Sequence, residues 1–508
     1  MILGRRTDTE LSVREVAGAV AAGTRPRPVR RAGALAAAGL IAVAAGGWPR
    51  GAVAHVAPEL MAPVVKAAEG GQAGDAAARA ARAAGSAETG GVARFALIVG
   101  VNRGIDPELA QLHFADDDAA RYSDLFRALG ARVHLLTRPD ENTLRISSRS
   151  VSEARPPVRD ELARAVSELA REVTTARDGG RRVVFYFVYA GHGNVRGNTA
   201  YLALEDQRLD AGEIERHIVD RVHADESHLI VDACYSYFLA YGRGPSGIRR
   251  PVGLFAAHEG MARRADVGLL LSTTSARESH EWTNFEAGIF SHEVRSGLSG
   301  AADLDGDGQV SYLEIAAFVM QANAAVPNER FRPRVFTHAP AAGSQLVDLR
   351  NGAGRRLKIE TSASAEHCLL ENLFGVRLAD FNSQPGHPVS LLMPISAQNL
   401  YLRRASDGRQ LAIPDSAEVV SLGALGPPAV SLEPRSFGGP AEYAFDQLFL
   451  LPLDQEALAN YARHPADADR KCPQSSSRHR CRPAPDGGLR RAGQRGRRDT
   501  RSLSATRS

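Results

Sequence analysis

Val183-Val184-Phe185-Tyr186-Phe187-Val188-Tyr189 runs straight into Ala190-Gly191-His192-Gly193, and Leu229-Ile230-Val231 runs into Asp232-Ala233-Cys234-Tyr235-Ser236. Short apolar runs rich in β-branched and aromatic residues, bounded by glycine and polar residues, read as buried parallel strands. In open α/β sheets the ligand site lies off the carboxyl ends of such strands. Two neighbouring strand ends of this kind bring an imidazole and a thiol to one crevice, the minimum apparatus of a cysteine nucleophile and its general base. A lone cysteine on a strand reads equally as a small buried hydrophobe. The glycines on both sides of His192 are harder to place in a core, since they free the backbone to turn tightly and to approach a ligand. Other histidines, among them His217, His223, His228 and His292, have no such setting and read as surface or core residues.

Outward from these strands, apolar runs and helical patterns alternate over residues 92–340. Arg132–Leu136 and Val267–Ser272 read as further strands, and Asp118–Leu129, Val158–Thr174 and Ala211–Val222 as helices with apolar residues three and four apart. Such alternation predicts an α/β fold with a mainly parallel sheet sandwiched by helices. After about residue 345 the texture changes to short runs between turn residues: Arg356–Thr361, Gly375–Ala379, Val389–Met393, Asn399–Leu402, Ala417–Leu422 and Ala429–Leu432. These predict a C-terminal all-β module over 345–465, a sandwich. A helical segment near Asp454–Tyr461, with Asp454 as N-cap, is expected to close it.

The 508 residues leave room for two or three domains. Charge is spread unevenly: 12 Lys/Arg face 2 Asp/Glu in 470–508, 8 face 3 in 1–54, and 42 face 53 between them, a net of −11. The folded body is acidic, which argues against a nucleic-acid partner. Lysine occurs only at 66, 358 and 471, so the basic residues are almost all arginine, a usage that fits GC-rich coding. The tail from Arg470 has almost no large apolar residue and is expected to be disordered. The four cysteines, Cys234, Cys368, Cys472 and Cys481, form no CxxC pair, so neither zinc nor a disulfide scaffold is indicated. At the other end Arg25, Arg27, Arg30 and Arg31 precede the apolar run Ala32–Ala45 and Ala52-Val53-Ala54. That pattern predicts an export signal over 1–54, to the periplasm or the exterior. An uncleaved anchor or an unprocessed cytoplasmic tail is the alternative, and the run is too short for a stable membrane span. Residues 55–91, rich in Ala and Gly, read as a linker or pro-segment.

Asp303-Leu304-Asp305-Gly306-Asp307-Gly308-Gln309-Val310-Ser311-Tyr312-Leu313-Glu314 has the spacing of a twelve-residue EF-hand-type loop. Side-chain oxygens at positions 1, 3, 5, 9 and 12 fall on Asp303, Asp305, Asp307, Ser311 and Glu314, and the position-7 carbonyl is that of Gln309. Clustered carboxylates repel without a cation, and hard oxygen ligands select Ca2+. Helical patterns flank the loop at Phe290–Leu298 and Tyr312–Ala322. A plain Asp/Gly turn is the alternative.

His192 precedes Cys234 by 42 positions. That excludes the papain order, with cysteine first, and lies near the roughly 50-residue interval of caspases. With Arg94-Phe95-Ala96-Leu97-Ile98-Val99-Gly100-Val101-Asn102 as first strand and Leu112-His113-Phe114-Ala115-Asp116-Asp117-Asp118-Ala119 opening the first helix, four motifs stand in order over about 92–340. In them the chain resembles the caspase-like cysteine peptidases (the caspase-haemoglobinase fold), and within these the metacaspase and bacterial orthocaspase branch. Two departures stand out. The caspase signature Q-A-C-[RQG]-G is absent, and Tyr235-Ser236-Tyr237 replaces the His-Ser-Gly that usually follows the metacaspase nucleophile. The resemblance implies that Cys234 is the nucleophile and His192 its proton acceptor, with an oxyanion hole made by the amides of Gly193 and Cys234. It also implies that Asp118 and Asp232 line the pocket for a basic substrate residue, so that peptide bonds are cut after arginine, or lysine second. A helix start favours acidic residues in any case, so Asp116, Asp117 and Asp118 have a purely structural reading too. The expected partners are thus proteins or peptides with basic residues. Self-cleavage is expected in the arginine-containing loop Gly242–Pro251 or linker 79–94. A catalytically inactive, calcium-binding interaction module is the competing reading, and Tyr237 is the residue that favours it. P-loop, HExxH and GxSxG motifs are absent.

Overall fold

A computed structural model describes residues 91–463 apart from 198, 235, 237–259, 273–280, 362–363 and 429–443. The export signal, residues 55–90 of the linker, the loop 242–251, Tyr237, the run 429–432 and the basic tail therefore lie outside the described residues.

Five strands, β1 (Val92–Gly100), β2 (Ala131–Leu136), β3 (Arg182–Ala190), β4 (Glu226–Asp232) and β5 (Val267–Ser272), form a parallel sheet in the order β5-β4-β3-β1-β2. A sixth, β6 (Val335–His338), adds antiparallel to β5 at one edge. The period-2 alternation of side chains sorts the strand residues onto two faces. Ala96, Ile98, Val184, Tyr186, Val188, Ile230 and Leu270 share one core with helix α1 (Ala115–Ala128). Leu97, Val99, Phe185, Phe187, Leu229, Val231 and Leu269 share the other with helix α2 (Arg159–Asp178). Because both faces are covered, the strands carry no polar face and appear in the sequence as unbroken apolar runs. On the α1 side lie two more helices, α3 (Ile289–Ser296) and α4 (Tyr312–Asn323), with the acidic loop 303–314 between them. Strand Gln345–Asp348 pairs antiparallel with Gln309–Ser311, at the end of that loop.

The C-terminal region holds two small sheets. Strand Arg355–Glu360 is flanked by Val389–Met393 and Val419–Ser421; Glu366–Glu371 lies between Arg377–Ser383 and Leu400–Arg404, which pairs with Gln410–Ile413. Alternate residues of both (Leu357, Ile359, Leu370, Phe381, Leu391 and Leu402) face one another in a single core, as a sandwich requires.

Helix Gln455–Arg463 starts where expected, with the Asp454 carboxylate accepting the Ala457 N–H at 2.7 Å. It does not close the sandwich, however. Ala457, Leu458 and Tyr461 pack on the α1-side core, and the preceding Phe449 donates its N–H to the Ala322 carbonyl of α4 at 2.9 Å. The apolar residues of this helix thus pack with those of α4, not with the core of the module preceding it in sequence.

A buried polar knot ties the sandwich to α3. Asp380 accepts from His292 Nε2 at 2.8 Å and His367 Nε2 at 2.7 Å, while its own amide donates to the Ser296 hydroxyl at 3.1 Å. His292 and Asp380 are fully buried, and Phe285 stacks on His292 at 3.9 Å. His228 is buried too, paired to the Tyr312 hydroxyl at 2.8 Å, whereas His217 and His223 are exposed.

Candidate active site

Strands β3 and β4 are in parallel register from Val184↔Glu226 to Ala190↔Asp232. The Gly191 amide extends the ladder by donating to the Asp232 carbonyl at 3.1 Å. His192 and Cys234 each stand two residues past the last register pair, so the pairing that builds the sheet also sets them side by side. Both are largely buried, at 7% and 5% exposure. The imidazole has a defined tautomer. Its Nε2 lies 2.6 Å from the Ala110 carbonyl, which can only accept, so Nε2 carries the proton and Nδ1 keeps its lone pair. Burial holds the imidazole below the usual histidine range, against the Ala110 bond and the charge of Asp106, so the ring is neutral and ready to accept a proton at neutral pH.

Gly193 opens a hairpin (Gly193–Arg196 with Thr199–Ala203) and packs against the Cys234 backbone. A side chain at 193 would collide with the Cys234 carbonyl oxygen, so only glycine allows this approach. The ladder bond beside the Gly193↔Leu202 pair runs from the Ala203 N–H to the His192 carbonyl at 3.0 Å. Gly193 is therefore at a non-hydrogen-bonded position, and its amide is not spent on the hairpin.

Asp118, on α1, and Asp232, at the end of β4, converge on Gly288 just before α3. A methyl group built on Gly288 would lie 2.9 Å from Asp232 Oδ2 and 3.0 Å from Asp118 Oδ2. The two carboxylates have different partners. Asp118 is buried and accepts from the Gly288 amide at 2.9 Å and from the Arg295 guanidinium at 2.5 Å. Asp232 is part-exposed and accepts the amide and hydroxyl of Ser291, at 3.1 and 2.7 Å, on one oxygen. Burial pushes the Asp232 carboxyl up to about 7, with the Ser291 bonds opposing and nearby Asp118 adding to the rise. Asp116 and Asp117 do not cap α1. The N-cap position is Phe114, and the first-turn amides go to the Asn102 side chain (Ala115 at 2.8 Å) and to Glu281 (Phe114 at 2.9 Å). Asp116 instead accepts from Asn102 and Thr143, and Asp117 sits buried 3.6 Å from Arg121.

In the acidic loop, ligand oxygens of Asp303, Asp305 and Asp307 lie within 4.8 Å of one another. The chain turns there at Gly306 and Gly308, both at positive φ, and the Gly308 amide donates to Asp303 at 3.0 Å. One Asp303 oxygen is buried without a hydrogen-bond partner. Gln309 starts the short strand to 345–348. Ser311 and Glu314 form a capping box at the start of α4, with Glu314 accepting the Ser311 amide at 2.8 Å.

A family model described as the caspase domain matches residues 93–346. The chain belongs to the caspase family. Similar solved structures include caspase-1 from Spodoptera frugiperda (15% identity, covering 49% of this chain and 87% of that one, TM-score 0.31) and pro-sf-caspase-1 (13%, 49%, 92% and 0.31). No curated protein sequence matches. The caspase domain carries the general activity of a cysteine peptidase acting on proteins, and no described helix is long and apolar enough to cross a membrane. Of the residues singled out in the sequence, the caspase fold brings His192, Gly193 and Cys234 into one group at the ends of β3 and β4, and sets Asp118, on α1, near Asp232, at the end of β4. The acidic loop lies beyond the far end of α3. Sequence reasoning missed Ala110, whose contribution is a backbone carbonyl and leaves no residue signature. It also missed Ser291 and Arg295, which reach the acidic pair from one helix face four residues apart.

Proposed function

We propose that this caspase-family protein is a metacaspase-type endopeptidase that cleaves after arginine, and after lysine second. The observation that carries the reading is the β3–β4 register, which sets a thiol beside an imidazole of fixed tautomer. Cys234 Sγ attacks the scissile carbonyl while His192 Nδ1 takes the thiol proton. The Gly193 and Cys234 amides receive the charge that develops on the carbonyl oxygen. His192 then returns the proton to the leaving amine, and water hydrolyses the thioester. Asp232, partly open and beside the nucleophile, meets the substrate's guanidinium, with Asp118 behind it. A panel of fluorogenic peptides differing only in the residue before the cleaved bond tests the assignment.

The donor set of the loop suits Ca2+: three carboxylates already converge, one oxygen is unpartnered, and the Gln309 carbonyl, Ser311 and Glu314 follow at the remaining positions. When bound, the ion would neutralise these carboxylates and join the ends of α3 and α4. Glu314→Gln is expected to weaken calcium binding by tenfold or more, on the order of the loss of one charged ligand. Titration calorimetry reads it directly, and unchanged affinity would remove this loop as the site.

Self-processing fits an arginine-directed enzyme that carries Arg243, Arg249 and Arg250 among Gly, Pro and Ser, since such segments are preferred nicking sites. Incubation with calcium should yield fragments ending in arginine within 242–251 or at Arg79 or Arg82 of the linker, Arg94 being held in β1, as read by mass and by N-terminal sequencing of the downstream fragments. Cuts confined to other segments would contradict it. The arginine-led apolar run before Ala52-Val53-Ala54 supports an exported protein.

A further inference from the structure

The general base depends on a backbone carbonyl, and a carbonyl is only as well placed as the segment that carries it. Ala110 lies at an exposed position in the segment between β1 and α1, which has no regular structure to hold it. Within that segment one side chain is buried and charged. Asp106, 3% exposed, accepts from the Tyr201 hydroxyl at 2.6 Å and from Arg208 Nε at 3.0 Å. Tyr201 belongs to the hairpin that starts at Gly193, and the Arg208 guanidinium lies 5.4 Å from its ring. Asp106 lies four positions before Ala110, and the Leu109 amide closes the intervening turn on the Asp106 carbonyl at 3.2 Å. A second tether, from the Ile105 amide to the Leu204 carbonyl at 2.8 Å, holds the same segment to the same hairpin.

These contacts form a closed ring: His192 to Ala110, along the chain to Asp106, across to Tyr201, and back through the hairpin to the residue after His192. We propose that Asp106 is a positioning residue for the general base, fixing the Ala110 carbonyl against His192 through Tyr201 and Arg208. It does not touch the substrate. Its bonds to Arg208 and Tyr201 keep the Asp106 carboxyl ionised against the cost of burial, and that charge in turn acts on the imidazole. Tautomer and orientation of a catalytic histidine are commonly set by the group on its other nitrogen. Here that group is neutral, and the carboxylate acts one step behind it. The inference rests on the reading of His192 as the base.

Two substitutions separate tether from charge. Tyr201→Phe removes one hydroxyl and leaves the ring. It is expected to lower kcat about tenfold with KM changed less than about twofold, because small misplacements of a base cost turnover rather than binding. Asp106→Asn keeps the shape and removes the charge. It should lower kcat similarly and move the His192 titration, read by NMR of the ring C–H with His192→Gln for assignment, to lower pH. The direction follows because a nearby anion favours the imidazolium, so its loss favours the neutral ring. Full kcat in both variants with an unmoved titration would overturn the proposal. So would a fall in kcat that tracks loss of thermal stability while the titration stays put, which marks a scaffold role only. If the wild type cleaves no peptide, the peptidase reading fails, and the titration in Asp106→Asn still decides whether Asp106 acts on His192.

Discussion

Asp232→Asn is expected to cut kcat/KM for arginine peptides by at least tenfold while leaving the reactivity of Cys234 intact. Asp232 is the part-exposed member of the acidic pair, and Asp118 is already engaged by Arg295. A guanidinium entering beside Cys234 therefore gains a charged partner from Asp232. Removing one partner of a desolvated charge pair costs on the order of 2–5 kcal/mol. Lysine should suffer less in proportion, since it makes a point contact rather than a two-bond fork. The pH dependence has a definite sign. With the carboxyl raised to about 7, Asp232 is largely protonated below that pH and ionised above it. KM for arginine peptides should fall as pH rises through about 7, and this dependence should disappear in the asparagine variant. For the empty protein the raised value means that ionising Asp232 costs stability as pH increases, a cost that a bound cation offsets. Preference for aspartate in the peptide panel, or an unchanged profile in Asp232→Asn, would remove the pocket assignment.

Cys234→Ala is expected to lower kcat by about 10^4-fold or more, the scale seen when a covalent nucleophile is removed from a preorganised site. Substrate binding should persist, because the acidic pair and the sheet that positions it are untouched. The fold should persist too, since the change deletes one sulfur from a site whose backbone is fixed by strand register. His192→Ala should produce a loss of comparable size, and the double variant little more, as the two groups act as one unit. Residual turnover close to wild type in either single variant would place the chemistry elsewhere.

Much of this was legible in the residues because buried parallel strands leave a local signature. Val267–Ser272 has the same bounds in the sequence pattern and in the sheet, and the runs ending at Ala190 and Asp232 mark the two strand ends that meet. The acidic loop was legible for the same reason, its spacing being local. What could not be read was whatever depends on approach in space. The edge strand Val335–His338 and the strand Glu366–Glu371 lack strong alternation with turn signals and leave no strand signature in the sequence. The helix read near Asp454–Tyr461 is present as Gln455–Arg463, but the surface it covers depends on α4, which is distant in sequence. Asp118 illustrates the limit best. Its position at the start of α1 was evident, whereas its pairing with Arg295, 177 residues later, is a product of the fold.

The most direct test of the central claim is covalent labelling with an arginyl peptide bearing an electrophile at the cleaved position, followed by peptide mapping. The wild type should take up one equivalent, on Cys234, at a rate that falls sharply in His192→Ala, and Cys234→Ala should take up none. Equal labelling of wild type and Cys234→Ala, or a label mapped to Cys368 or a tail cysteine, would contradict it.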